Sequence, residues 1–142
     1  MEALAQPSER SDVVVLCAPR GRGTLHVMRV VIGGMASRHA LSVDRLDDLQ
    51  LALETLFREE PPEGDDLALT IACAGETFKV TLAGLRSDLV RRTLSGERVL
   101  ETDKFGAPSI LRMIMDSLVD EYRTAEGATA SSFAVEMDKR IR

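Results

Sequence analysis

The chain has 142 residues, 44% of them hydrophobic and 29% charged, enough for one domain with its own core and too few for two. Its formal net charge of −5 runs against a general nucleic-acid binder, whose surface is usually basic. No apolar stretch is long enough to cross a bilayer, and the opening MEALAQPSERSD lacks the basic start and apolar core of a signal peptide, so a cytoplasmic protein is expected.

Residues 1–11 are polar and read as a flexible N-terminus, leaving 12–142 as a single domain. Asp12 to Ala18 (DVVVLCA) is a β-branched run and predicts a strand. After the turn Pro19 to Gly23, Thr24 can cap a helix reaching about Ser37. Leu25, Met28, Val31, Ile32 and Met35 share one of its faces. The Gly33-Gly34 pair costs that helix about 1 kcal/mol per glycine against alanine, which predicts close packing against a neighbour.

Ser42 caps a second helix that runs to Glu59, with Asp44 in its first turn where negative charge suits the helix dipole. Leu46, Leu49, Leu53, Leu56 and Phe57 form its apolar stripe, and Asp47, Leu51, Glu54 and Arg58 a second line beside it. Glu54 and Arg58 stand four residues apart, in the favourable order for an ion pair. Pro61 and Pro62 end the helix inside the acidic loop EEPPEGDD.

Leu67 to Ala74 and Thr77 to Ala83, joined by Gly75-Glu76, read as a β-hairpin. A short helical piece is expected around Asp88 to Leu94, with a turn at Ser95-Gly96. Pro108 to Leu118 predicts a helix that buries Ile110, Leu111, Ile114 and Leu118. Two strands close the chain, near Glu121 to Ala125 and Ser131 to Met137. The simplest architecture is an α+β two-layer sandwich, a mixed, mostly antiparallel sheet covered on one face by three helices.

Cys17 and Cys73 each lie in an apolar run and read as buried free thiols. His26 and His39 have no Cys or His partners at ligand spacing, so surface or helix-end roles are expected and no metal site. Met28, Met35, Met113 and Met115 read as core. Asp44, Asp47 and Asp48, like the loop from Glu59 to Asp66, read as solvated acidic surface that could meet a basic partner.

Two phrases, MRVVIGGMASRHALSVDRLDDLQLALETL (28–56) and MDSLVDEY (115–122), together with the order of elements, resemble the Bergerat (GHKL, histidine-kinase-like) ATPase fold. More narrowly the chain looks like the small anti-sigma factor kinases of the RsbW and SpoIIAB type. The resemblance implies a catalytic Glu on the second helix, and Glu54 matches it. It implies a magnesium-binding Asn four residues on, where this chain has Arg58, a donor-only cation that cannot ligate a metal. It implies an adenine-binding Asp followed by glycines; Leu82 stands in the Asp position and only Gly84 of that loop is kept. It implies a Gly-rich turn opening the last helix, where Ser109-Ile110-Leu111 stands instead and Gly106, upstream, is the nearest glycine.

The positions Arg58, Leu82, Gly84, Gly106 and Ser109 therefore mark a degenerate nucleotide site, with Glu54 as a vestigial catalytic residue whose present partner is Arg58. Arg86, Arg91, Arg92 and Arg98 fall in the region of the family's ATP lid and read as a solvated loop. The resemblance implies an anti-sigma regulatory factor that sequesters an alternative sigma factor. It would be released by a STAS-type anti-anti-sigma protein, with ATP binding weakened or lost and no cofactor expected. The alternative is an active serine kinase that uses MgATP to phosphorylate its antagonist. A homodimer is in keeping with the resemblance; direct nucleic-acid or membrane partners are not.

Overall fold

The computed structural model describes residues 12–95 and 107–142, with the backbone alone for 107–109. Its elements are β1 (Asp12–Ala18), α1 (Arg22–Arg38), α2 (Val43–Arg58), β2 (Leu67–Ala74), β3 (Thr77–Leu85), α3 (Asp88–Leu94), α4 (Ala107–Leu118), β4 (Glu121–Glu126) and β5 (Phe133–Arg140). The order is the expected one, and the ends of β3 and β5 reach further than their alternation suggested. Expectations placed on residues 1–11 and on Gly96, Arg98 and Gly106 lie outside the described residues.

The strands form one five-stranded sheet in the order β1-β2-β3-β5-β4. Every pairing is antiparallel, so the sheet is not the mixed one expected. The reason lies in the connections. One helix between adjacent strands returns the chain to the starting end and gives a parallel pair. Here α1 and α2 run back and forth as a pair, so β2 enters where β1 leaves, with Ala18 opposite Leu67. The chain leaves β3 at Leu85, opposite Phe133, and returns through α3 and α4 to the far end, where Glu121 faces Asp138.

Alternation along the strands sends one set of side chains toward the helices. Leu69, Ile71, Val80, Leu82, Val135 and Met137 are buried in register across β2, β3 and β5. Met28, Ile32, Leu49, Leu53 and Leu56 meet them from α1 and α2. Each fully buried aliphatic side chain stabilises the fold by roughly 1.5–3 kcal/mol, and this shared cluster makes a two-layer sandwich. Four helices are described, the three expected to cover the sheet and the short α3, which lies where a helical piece was expected around Asp88 to Leu94.

Several local expectations are corrected. α1 begins at Arg22 and no side chain caps it; the Thr24 hydroxyl donates to the Pro19 carbonyl instead. A Cβ at Gly33 or Gly34 would meet nothing within 4 Å, so close packing does not explain the glycine pair. Ile110 and Met113 are 46% and 60% exposed, because the buried arc of α4 runs through Leu111 and Met115 to Val119. Cys17 is exposed on the edge strand, and Cys73 is the buried thiol.

Ser42 caps α2 as expected, its hydroxyl accepting from the Arg45 amide at 3.3 Å. Between the two helices Ala40 adopts φ +60°, and the Leu41 amide donates to the Ala36 carbonyl at 3.0 Å. That is the Schellman arrangement with alanine in the left-handed position that glycine usually takes.

Candidate functional site

Three connections meet at one end of the sheet, and a single arginine ties them together. Arg20 follows β1; its Nε donates to the Asp65 carbonyl at 3.0 Å, and its other nitrogens donate to the Glu60 carboxylate and the Gly84 carbonyl. The Arg20 and Glu60 side chains are each 3% exposed. Glu60 in turn accepts from the Arg86 and Ser87 amides, both at 2.9 Å. Ser87 then caps α3, its hydroxyl accepting from the Val90 amide at 3.2 Å. A buried charge pair persists only when its remaining lone pairs and protons are satisfied, and this one is. Glu60 is therefore a structural anchor, not part of a displayed acidic loop.

Gly84 belongs to the same anchor. It has φ +87° at the irregularity where β3 leaves its register with β5, and a Cβ there would stand 2.8 Å from the Asp66 carbonyl oxygen. Backbone geometry accounts for this glycine without a nucleotide. Leu82, two residues earlier, is wholly buried between Leu69 and Val135. A side chain at that position points into the core, not toward a pocket. Ser109 lies in the first turn of α4.

Glu54 and Arg58 are brought together, with a third residue the sequence reading missed. The Glu54 carboxylate lies 3.3 Å from Arg58 and 3.4 Å from Arg29 of α1. Both contacts are longer than the 2.7–2.9 Å of a good charge-assisted hydrogen bond. Glu54 is 32% exposed, Arg29 40% and Arg58 63%, so the two pairs are screened and contribute little stability.

These residues line a cleft of about 580 Å³ between the start of α1 and the end of α2. Arg20, Arg22, Arg29 and Arg58 face Glu54 and Glu60 in its lining, with His26 beside them and Leu25, Phe57, Pro61 and Pro62 as apolar wall. Arg22, His26 and Arg29 stand at i, i+4 and i+7, one face of α1, and this spacing was the available signal. It was hidden because Pro19 to Gly23 reads first as a turn.

Several of the remaining candidate charges are engaged elsewhere. Asp88 holds Arg91 and Arg92 at 3.2 and 3.3 Å, and those hydrogen bonds keep its carboxyl below the usual range. Asp48 pairs with the buried Lys139 at 3.0 Å while its own side chain stays 41% exposed, and Asp44 and Asp47 lie exposed beside it on α2. His39 and Arg38 both bind Asp12, at 2.7 and 2.8 Å, so this histidine pins the end of α1 to the edge strand.

Among the described residues no cluster of His, Cys, Asp or Glu could hold a metal ion. Nor does any described helix have the length and apolarity to cross a membrane. No family model matches the chain, and no curated protein matches it at a significant level.

Proposed function

We propose that the chain is an anti-sigma regulatory factor with a GHKL-like fold that has abandoned nucleotide chemistry. It holds an alternative sigma factor by its helical face and releases it to a STAS-type anti-anti-sigma protein. The observation that carries the loss of chemistry is the pair of arginines on Glu54. A carboxylate shared by Arg29 and Arg58 is not a free base, and the position that should hold magnesium is filled by a cation. Leu82, packed in the core where an adenine acceptor would be needed, supports the same reading.

The helical layer supplies the kind of surface a protein partner uses. Val27 and Val30 on α1 and Leu51 on α2 are 48%, 74% and 47% exposed, and Asp44 and Asp47 lie exposed on α2. Apolar residues with acidic neighbours suit a basic, partly apolar partner helix.

The test uses the full chain with purified alternative sigma factors and STAS proteins from its own genome. A stable complex with one sigma factor by size-exclusion chromatography, dissociated by one STAS protein, is the expected result. Isothermal titration with MgATP is expected to show no binding in the micromolar range. MgATP-dependent phosphorylation of the STAS protein, abolished by Glu54→Gln, would establish the kinase instead. Failure to bind any sigma factor or STAS protein would sink the regulatory reading.

A further inference from the structure

We propose that the cleft between α1 and α2 binds a small phosphomonoester, with Arg22, Arg29 and Arg58 gripping the phosphate and Leu25 and Phe57 receiving its apolar body. The chain as a whole is acidic, with a net charge of −5, yet the cleft lining sets four arginines against two glutamates. Arg20 is satisfied by Glu60, so among the described lining residues Arg22, Arg29 and Arg58 are opposed by Glu54 alone. Glu54 meets Arg29 and Arg58 at 3.4 and 3.3 Å, through one nitrogen of each, so a single carboxylate is shared by two guanidiniums and leaves most of their donors open. A dianionic phosphate offers three acceptor oxygens to planar donors whose geometry it matches.

The backbone reinforces the charge. α1 starts beside the cleft with no side-chain cap and no acid in its first turn, whereas α2 and α3 each have both. The positive end of a 17-residue helix therefore lies beside the cleft with no acid in its own first turn. The volume of about 580 Å³ exceeds what a bare phosphate fills and lies within the range of small-molecule sites. Leu25, Phe57 and the Pro61-Pro62 wall give the remaining space an apolar character, which is why an ester and not inorganic phosphate is the ligand class.

In this arrangement Glu54 works against the ligand, since its carboxylate competes for two of the gripping arginines. That sets the proposal apart from a catalytic Glu54, whose amide replacement would remove activity. The site is also independent of the sigma-factor reading, and the two fail in different experiments.

The experiment is a 1H–15N NMR titration of the full chain with phenyl phosphate, alongside inorganic phosphate and phenol. Phenyl phosphate is expected to saturate shifts at the Gly21 and Gly23 amides with a Kd below about 1 mM. Inorganic phosphate is expected to bind more weakly at the same amides, and phenol alone not to bind. Arg22→Ala and Arg58→Ala alter exposed side chains, so the fold should survive while each weakens binding by about tenfold. Glu54→Gln is expected to tighten it several-fold. No saturable shift at the cleft, phenol binding as well as its phosphate, or affinity unchanged in both arginine variants would each overturn the proposal.

Discussion

Arg20 and Glu60, forty residues apart in sequence, form an ion pair whose side chains are each only 3% exposed. Through it the connections after β1, α2 and β3 become one unit. The two partners are not equivalent. Loss of Arg20 leaves Glu60 with the Arg86 and Ser87 amides, whereas loss of Glu60 strands a buried guanidinium and two amides. Glu60→Leu is therefore expected to cost about 3–5 kcal/mol, and Arg20→Met less. The double variant should cost less than the two singles summed. Urea unfolding of the three variants checks this; equal or additive losses would contradict the anchor.

Backbone conformation at α1 and at Gly84 of β3 makes predictions of opposite sign. Gly33→Ala and Gly34→Ala add a Cβ into open space within a helix, and each is expected to stabilise by about 1 kcal/mol. Ala40→Gly relieves the left-handed alanine at the end of the same helix and is expected to gain a similar amount, about 1 kcal/mol. Gly84→Ala, with φ +87° and a carbonyl oxygen 2.8 Å from the new Cβ, should lose stability instead. Thermal unfolding of the four single variants reads all the signs at once.

On the proposed reading, single substitutions toward the GHKL pattern should not create nucleotide binding. Arg58→Asn alone is expected to give no micromolar binding of MgATP by isothermal titration. Leu82→Asp places a carboxylate between Leu69 and Val135, and is expected to cost several kcal/mol and to leave much of the protein unfolded. A folded Leu82→Asp variant that bound adenine nucleotides would refute the position assigned to Leu82.

Tyr122, the single tyrosine, gives an alkaline signature. Burial, followed by its hydrogen bond to Asp116 at 2.9 Å, raises the phenol from its ordinary 10.0 to about 12. The folded state thus holds this proton more tightly than the unfolded state. Its contribution is complete below pH 10 and declines as the pH rises toward about 12. Phenolate absorbance should titrate near 12 in the native protein and near 10 after unfolding. Tyr122→Phe should flatten the fall in stability over that window relative to the wild type.

The periodic parts of the molecule were legible in the sequence because periodicity reports the environment of each side chain. The β1 run, the Ser42-capped helix, the hairpin and the short α3 occur where alternation, a capping hydroxyl and turn residues put them. The pairing of Glu54 with Arg58 was legible for the same reason, being a contact within one helix. Sheet direction was not, since it depends on how α1 and α2 return the chain, and no local pattern encodes that. The same holds for Ile110 and Met113: hydrophobicity says that a helix has an apolar arc, and only packing decides where the arc is centred.

The candidate site divides along the same line. Residue chemistry by itself determined that Arg58 cannot hold magnesium and that Leu82 cannot accept a hydrogen bond from a base, because those are properties of side chains. Only the tertiary structure decided that Arg29 joins Glu54 from another helix, that Glu60 is buried with Arg20, and that Asp48 is taken by Lys139. Those contacts span 25, 40 and 91 residues. Charges so distant in sequence have no fixed separation until the chain folds, and their interaction is set by distance and solvent exposure once it has.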